Sequence, residues 1–476
     1  MNARAAGGAT LTLRPVWLLA GVPLALALVV GAAPQPSFAL LVLAAALGSC
    51  ALLAVLARRF GVAGLWVLAM PLSILAGELG SVGAGGQSGR VLVADGVVMA
   101  GAAWALLRGR GSLVLVQAPF LARLVSFIVW AALGLLTSAD PLTGIAELKE
   151  WVVAIVAAAA ALTWAADPAL PRAGREARVR LMVGGIVLSA VLVAGAMVVA
   201  ALRHPLGPVL AVMMKQVDLS WGRTNYLAGI LILAMPLALG SALAARSRLE
   251  GGLYSAALLA CGVGLALSAS KGAMLALVVT ALPLFATTGR GMRRAMLAVL
   301  VLFVALALVF TMGPLKQVMA YRLAGSAIDY SMNERLDLYR LAWSAFLAHP
   351  LLGIGINNFS VASHILRGLD TVPHHLELGW LAELGLPGAL FGLAALAAPL
   401  AGAWRLRRRA ACPAERALSA GMLAAWAGML AHNQVESTLY GGQYKLLLLL
   451  LAAAIAARTG LADVRVESPS TRGTTP

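Results

Sequence analysis

The sequence predicts an all-α polytopic membrane protein with about twelve to fourteen transmembrane helices and one long extracytoplasmic loop that contains amphipathic helices. The chain of 476 residues is 61% hydrophobic, has a mean hydropathy of +0.91 and carries only 12% charged residues. Soluble domains carry about 25% charged residues, so this chain cannot cover a water-facing surface of ordinary size. Residues 1–476 are therefore expected to form a single integral membrane domain.

The apolar runs give the candidate spans, because a helix needs about 20 apolar residues to cross a bilayer. About fourteen runs qualify, and about twelve remain if short neighbours fuse. The runs are 15–32, 37–57, 62–80, 91–107, 117–137, 149–166, 181–201, 224–245, 252–269, 271–288, 294–312, 377–403, 415–437 and 441–458.

The basic residues predict how the helices are oriented. A net charge of +17 is often a sign of nucleic-acid binding, but here the arginines form short clusters between apolar runs. A cytoplasmic N-terminus followed by alternating spans places every cluster inside, as the positive-inside rule requires. Both termini are then cytoplasmic, residues 459–476 form a tail expected to be disordered, and no nucleic-acid partner is expected. The clusters are Arg58–Arg59, Arg108 and Arg110, Arg172 to Arg180, Arg246 and Arg248, Arg290 to Arg294, and Arg405 to Arg409.

The later outer segments break this charge rule. A single cation there is commonly a snorkelling side chain at a helix end. The accumulation of cations on one face instead favours an anionic ligand held at that face. The residues concerned are Arg203, Lys215, Arg223, Lys271, Lys316, Arg322, Arg335, Arg340 and Arg367.

Residues 313–376 form the large outer loop, and loops of this length are uncommon without a function. Ser331 to Glu334 fits a capping box and predicts a helix start, and Pro350 predicts the helix end. This helix is expected to lie on the outer membrane surface, although an ordinary packed loop helix fits the same pattern. Its apolar stripe consists of Leu336, Tyr339, Trp343, Phe346 and Leu347.

The residues after this helix contain glycines and a histidine pair. Gly353 and Gly355 permit a tight backbone path, but no third glycine completes a dinucleotide-binding pattern. His374, His375 and Glu377 do not have the HExxH spacing and lack a third zinc ligand, so no metal and no cofactor are expected. Arginines and lysines would have to neutralise any bound phosphate.

Two stretches, RLDLYRLAWSAFLAHPLLGIGINNF and HHLELGWLAELGLPG, resemble the O-antigen ligase and polymerase superfamily of bacterial membrane glycosyltransferases. The family pattern is a histidine, a short polar residue, nine residues and then Gly-x-x-Gly. Here His374 precedes Gly385 and Gly388 at that spacing, while His375 replaces the short polar residue. The register therefore favours His374 over His375 as the family histidine.

Two further segments resemble the family and extend the likeness over about the second half of the chain. SWGRTNYLAGILIL, with Arg223 and Asn225, resembles its entry from an outer loop into a helix. SASKGAMLALVV resembles its Ser-Arg-Gly helix start, with Lys271 in place of arginine. Lysine keeps the charge but loses the bidentate fork.

The resemblance implies a GT-C-like enzyme of the bacterial inner membrane whose active site faces the periplasm. Its donor would be a glycan on undecaprenyl pyrophosphate, and its acceptor a sugar hydroxyl of lipid A-core, so that the product is lipopolysaccharide. No carboxylate nucleophile stands out in the sequence, which favours direct displacement with inversion, and without a metal. A polymerase that elongates lipid-linked repeats is the first alternative. A transporter of lipid-linked sugars is the second, although the paired broken helices of transporters are not evident.

The reaction that the resemblance implies assigns roles to individual residues. His374 is the candidate base, since a neutral imidazole suits removal of a hydroxyl proton. Arg223 and Arg335 are the first candidates to bind the pyrophosphate, with Lys271 in support and Arg322 or Arg340 as further candidates. Possible auxiliary residues are His375, Glu377 and Asn225, while Glu383 is expected to be packed and hydrogen-bonded.

Overall fold

The structure is a computed structural model that describes residues 55, 58–61, 63–73, 75, 78–81, 90–92, 95–101, 118–202, 218–219, 222–268, 270–287, 325–367 and 372–467. The chain divides into two compact units, residues 1–66 and 67–476. The described residues of the first unit are helical.

Helices make up most of the described part of the second unit. The helices are α1 (Pro119–Leu133), α2 (Pro141–Ala165), α3 (Arg172–Leu202), α4 (Thr224–Leu243), α5 (Arg248–Ser268), α6 (Lys271–Thr287), α7 (Gly325–Ala348), α8 (Phe359–Arg367), α9 (Leu376–Arg408), α10 (Pro413–His432) and α11 (Gly442–Glu467), with 3₁₀ turns at Gly134–Thr137 and Thr438–Tyr440. Two small antiparallel ribbons pair β1 (Glu78–Ser81) with β2 (Arg90–Leu92) and β3 (Asp218–Leu219) with β4 (Gly222–Arg223).

Six of the described helices are long and apolar enough to cross a membrane, which confirms the predicted fold class: an all-α polytopic membrane protein. Predicted spans at 15–32, 37–57 and 294–312 lie wholly or largely outside the described residues, and the span at 91–107 is described only at residues 91–92 and 95–101. The six candidate spans are Pro119–Thr137, Arg172–Leu202, Asn225–Leu243, Arg248–Ser268, Leu376–Arg408 and Gly442–Gly460.

Several helices extend beyond their predicted apolar centres. α2 begins at Pro141 instead of 149, and α11 continues to Glu467 instead of ending at 458. Hydropathy locates only the apolar part of a helix, whereas caps set its ends. Asp140 caps α2, because its carboxylate accepts the backbone N–H groups of Leu142 and Thr143.

Helix α7 begins earlier than predicted. It spans Gly325–Ala348, so the Ser331–Glu334 pattern lies inside the helix and the predicted capping-box start is wrong. The same spacing of three residues also places two side chains one helical turn apart, which is why the pattern is ambiguous. The end of α7 just before Pro350 is confirmed.

The packed face of α7 also differs from the predicted stripe. Leu338 and Ala342 are buried in a cluster with Phe359 and Ala382. Of the predicted stripe, Leu336, Trp343 and Leu347 are 43%, 48% and 61% exposed. An exposed apolar face opposite a packed one is the arrangement expected of a helix at a membrane surface.

A buried ionic group joins α2 to α11. The Lys445 ammonium is fully buried and lies 2.6 Å from Glu147 Oε1 and 2.8 Å from Glu150 Oε2. Trp151 donates its indole N–H to the same Glu147 oxygen at 3.0 Å. Buried charges are costly unless they are paired and hydrogen-bonded, so this group fixes α2 against α11.

The loop after α7 docks into a break in α9 at Gly385, whose φ is +67°. Pro387 has no N–H, and the Leu386 N–H donates to the Pro350 carbonyl instead of within the helix. The freed carbonyls of Ala382 and Glu383 accept the N–H groups of Ile354 and Gly355, both at 3.0 Å. The backbone carbonyls that are unpaired at the helix break therefore bind the loop.

The two glycines of the histidine-glycine motif allow this docking. A Cβ at Gly385 would overlap the Leu351 carbonyl, and a Cβ at Gly388 would approach the Trp130 ring to 2.7 Å. Trp130 in turn donates its indole N–H to the Leu384 carbonyl at 2.9 Å. The glycines of the motif are thus needed for packing of the loop that leads to the histidines.

We expect Gly385→Ala to destabilise the protein by about 2–5 kcal/mol, because the new methyl meets backbone and the residue must keep a positive φ. The measurement is the melting temperature in detergent. The matched control is Gly195→Ala, since a Cβ at Gly195 in α3 meets nothing within 4 Å. Equal melting temperatures for both variants would contradict the assigned role of Gly385.

Candidate active site

Glu436 is the point where the ends of several helices meet. It is 4% exposed and follows α10. Its Oε1 accepts hydrogen bonds from Asn225 Nδ2 and from Arg335, both at 2.8 Å. Its Oε2 lies 3.1 Å from His374 Nδ1. One carboxylate therefore links the start of α4, the middle of α7 and the residues just before α9.

The turn that carries Glu436 is held by Asn433. The Asn433 carbonyl accepts the Leu376 N–H at 3.0 Å, which ties the turn to the first residue of α9. The Asn433 side-chain oxygen accepts the Thr438 hydroxyl at 3.2 Å and the Leu439 N–H at 3.1 Å. Both ends of the turn are thus fixed beside the histidine pair.

His374 has an unusual backbone conformation. Its φ is +53°, which is uncommon for a residue with a side chain and occurs often at functional sites. The side chain remains 27% exposed while Nδ1 faces the Glu436 carboxylate. When Nδ1–H donates to that carboxylate, Nε2 carries the lone pair and is the nitrogen that can accept a proton.

His375 has a different environment. It is the N-cap of α9, and its Nδ1 accepts the Leu378 N–H at 3.4 Å. Its ring packs edge-on against Tyr339, with 5.6 Å between ring centroids. Glu377 Oε2 lies 3.3 Å from the same nitrogen, and Glu377 Oε1 accepts the Gln434 amide at 2.8 Å. Of the two histidines, His374 has the arrangement suited to a base.

Arg335 contacts the Glu436 turn twice. One terminal nitrogen donates to the Val435 carbonyl and the other to Glu436 Oε1, each at 2.8 Å. Arginine has five N–H donors, so donors remain for a further anion. Arg335 therefore orients Glu436, a role that sequence reasoning did not assign to it.

The charges around Glu436 affect its ionisation. Burial acts to raise the pKa of Glu436, but the His374 hydrogen bond and the charges of His374 and Arg335 outweigh burial and hold the pKa below its usual value. The carboxylate is therefore ionised at neutral pH. Because the pKa is lowered on folding, this pairing stabilises the protein above the unfolded pKa and is lost as the pH falls through the folded value.

The structure describes the positions of the other predicted anion-binding residues to different extents. Arg223 closes β4 directly before α4, and Lys271 is the first residue of α6. The neighbouring Gly272 packs against Val435, where a Cβ would approach Val435 Cγ2 to 2.7 Å, so α6 begins at the Glu436 turn. Arg340 is exposed and pairs with Asp337 at 3.2 Å, away from this cluster. Arg322 lies outside the described residues.

Sequence reasoning missed Glu436. It lies 62 positions after His374, beyond two helices, and no local motif joins them. The only available signal was an acidic residue at the outer end of a predicted span, a position where an ionisable group has a functional role by default. Within the part of the chain that the structure describes, no three His, Cys, Asp or Glu side chains are grouped to hold a metal ion.

These features define a multi-pass helical membrane protein with a buried carboxylate and a half-exposed histidine at its converging helix ends. Residues 256–393 match the family model described as O-antigen ligase. The match covers less than a third of the chain and supports the resemblance to the O-antigen ligase and polymerase superfamily, a class of membrane glycosyltransferase-like enzymes. It includes Lys271, Arg335 and His374 but not Asn225 or Glu436. No curated protein matches the chain significantly.

Proposed function

We propose that the protein transfers a glycan from undecaprenyl pyrophosphate to a sugar hydroxyl of lipid A-core at the periplasmic face of the bacterial inner membrane. The His374–Glu436 contact carries this proposal. A carboxylate that binds Nδ1–H of a histidine fixes the tautomer in which the other ring nitrogen carries the lone pair, as a general base requires. Removal of a hydroxyl proton is the step that an acceptor sugar requires.

In the proposed reaction, His374 Nε2 takes the proton of the acceptor hydroxyl. The hydroxyl oxygen forms a bond to the anomeric carbon of the donor glycan, and the bond from that carbon to the pyrophosphate oxygen breaks. The electron pair leaves with the pyrophosphate, and the configuration at the anomeric carbon inverts. Glu436 stabilises the imidazolium formed, since it accepts a hydrogen bond from Nδ1.

The leaving pyrophosphate needs positive charge. Arg335 retains donors beyond those that hold the Glu436 turn. Arg223 and Lys271 belong to backbone segments that lead into α4 and α6. The N-terminus of α6 adds the positive end of a helix dipole beside Glu436. We propose that these groups together bind the pyrophosphate without a metal, through charge-assisted hydrogen bonds.

A polymerase reaction is the alternative, because it needs the same base and the same anion site with a different acceptor. The decisive assay uses purified protein in liposomes with a polyprenyl-pyrophosphate glycan and lipid A-core. We expect glycan on lipid A-core, and equal activity with and without a chelator. Lengthening of the lipid-linked donor alone would identify a polymerase instead, and loss of activity with a chelator would contradict metal-independent transfer.

A further inference from the structure

Glu383 is a buried carboxylate that the proposed transfer reaction does not use. It lies in α9, is 0% exposed, and its side chain joins three separate elements. Its Oε1 accepts a hydrogen bond from the backbone N–H of Phe359, the first residue of α8, at 3.1 Å. Its Oε2 accepts the Tyr440 hydroxyl at 2.9 Å. A buried acid with such defined partners holds those partners in place.

The Tyr440 contact reaches the candidate active site. Tyr440 ends the 3₁₀ turn Thr438–Tyr440, and this turn begins two residues after Glu436. Its hydroxyl lies over Gly379 of α9, where a Cβ would approach the oxygen to 2.5 Å. Because α9 begins just after His374, the Glu383–Tyr440 bond connects the segment that carries Glu436 to the helix that follows His374.

Lys445, in α11, also contacts the Thr438–Tyr440 turn. The Lys445 ammonium, already bound to Glu147 and Glu150, lies 3.4 Å from the Tyr440 carbonyl. Tyr440 is therefore held at both ends, by its hydroxyl on α9 and by its carbonyl on α11. This leaves the turn little freedom to shift relative to α9.

The two oxygens of Glu383 accept from different partners, so an amide cannot reproduce both acceptor contacts. The backbone N–H groups of Asn357 and Phe359 can only donate, and the Tyr440 hydroxyl donates as well. With its NH₂ group toward α8, an amide would leave the Phe359 N–H without an acceptor. With its NH₂ group toward Tyr440, it would donate to the hydroxyl oxygen, reverse that hydrogen bond and leave the hydroxyl proton without its Glu383 acceptor. A buried donor without an acceptor costs about 1–3 kcal/mol, so the amide would displace either α8 or the Tyr440 turn.

We propose that Glu383 is a positioning residue for the His374–Glu436 pair: through Tyr440, it holds the turn that carries Glu436 at the distance from which Glu436 orients His374. This inference rests on the proposed function, because it concerns the base of that reaction. Glu383 acts through other residues and does not touch the substrate. A small displacement of catalytic groups is sufficient to lower a rate by about 100-fold.

The test compares Glu383→Gln and Tyr440→Phe with the wild type in the liposome transfer assay. We expect kcat to fall about 10- to 100-fold in both variants, with KM for the donor within a factor of about two. Glu250→Gln and Tyr254→Phe are the matched controls and should retain wild-type kcat. Glu250 also accepts one backbone and one side-chain hydrogen bond, but it lies at the start of α5.

A double-mutant comparison separates positioning from general stability. If Glu383 acts through Glu436, then Glu383→Gln should cause almost no further loss of kcat in a Glu436→Gln background. Losses that multiply would overturn the proposal. So would an unchanged kcat in both Glu383→Gln and Tyr440→Phe.

Hydrogen exchange tests the structural link even if the transferase function proves wrong. In Glu383→Gln and Tyr440→Phe, the amides of residues 433–441 should exchange at least tenfold faster, while those in the centre of α10 remain unchanged. Unchanged exchange at 433–441 would refute the link through Tyr440. Faster exchange in a protein without transfer activity would instead refute the proposed function and leave the structural link in place.

Discussion

His374→Ala is expected to lower the transfer rate by about 10²- to 10⁴-fold, the range that a positioned general base contributes. Glu436 contacts the imidazole at Nδ1, and Nε2 is the ring nitrogen on the opposite side. Donor binding should be nearly unchanged, because His374 acts on the acceptor hydroxyl in the proposed reaction. Transfer is measured in liposomes, and donor affinity is measured separately with purified protein.

His349→Ala is the matched control for this prediction. His349 follows α7 directly and is exposed, so its loss should leave the transfer rate within about twofold of the wild type. His375→Ala provides a second comparison. It removes the α9 cap and should reduce stability by about 1 kcal/mol, with a smaller effect on rate. A folded His374→Ala protein with wild-type turnover would refute the assignment of the base.

The centres of the helices and the candidate base could be predicted from the sequence. Hydropathy is sufficient to find apolar runs such as α4 and α5, because lipid solvation is a property of each residue and its near neighbours. His374 could be identified from its spacing to Gly385. The structure supplies the physical reason for that spacing, since the loop docks into the helix break at Gly385.

The features that depend on distant pairing could not be predicted. Glu436 and Arg335 lie about 100 residues apart in the chain and form their ion pair only because α7 packs beside the end of α10. Lys445 pairs with Glu150 across a still longer separation. The start of α7 was missed for the opposite reason: a local four-residue pattern fits both a helix start and a helix interior, and only packing distinguishes them.

Glu436→Gln is expected to lower kcat by about 10²- to 10⁴-fold, an effect close to that of losing the base itself. Glu436 is ionised at neutral pH: burial acts to raise its pKa, but the hydrogen bond from His374 and the charge of Arg335 act against burial, and its pKa is lowered overall. The carboxylate accepts from His374 on one oxygen and from Arg335 and Asn225 on the other. An amide cannot accept on both sides.

Either orientation of that amide disables the site. If its NH₂ faces His374, it donates to Nδ1, the ring proton moves to Nε2, and Nε2 can no longer accept the hydroxyl proton. If its NH₂ faces Arg335 and Asn225, donors oppose donors and the α7 contact is lost. Glu436→Asp keeps the charge and should retain more activity than Glu436→Gln. Glu415→Gln, at the other end of α10 and paired with Arg172, is the control that should leave kcat unchanged. Because the amide is nearly isosteric, a Glu436→Gln protein with at least a third of wild-type kcat would show that the charge of Glu436 does not orient the base.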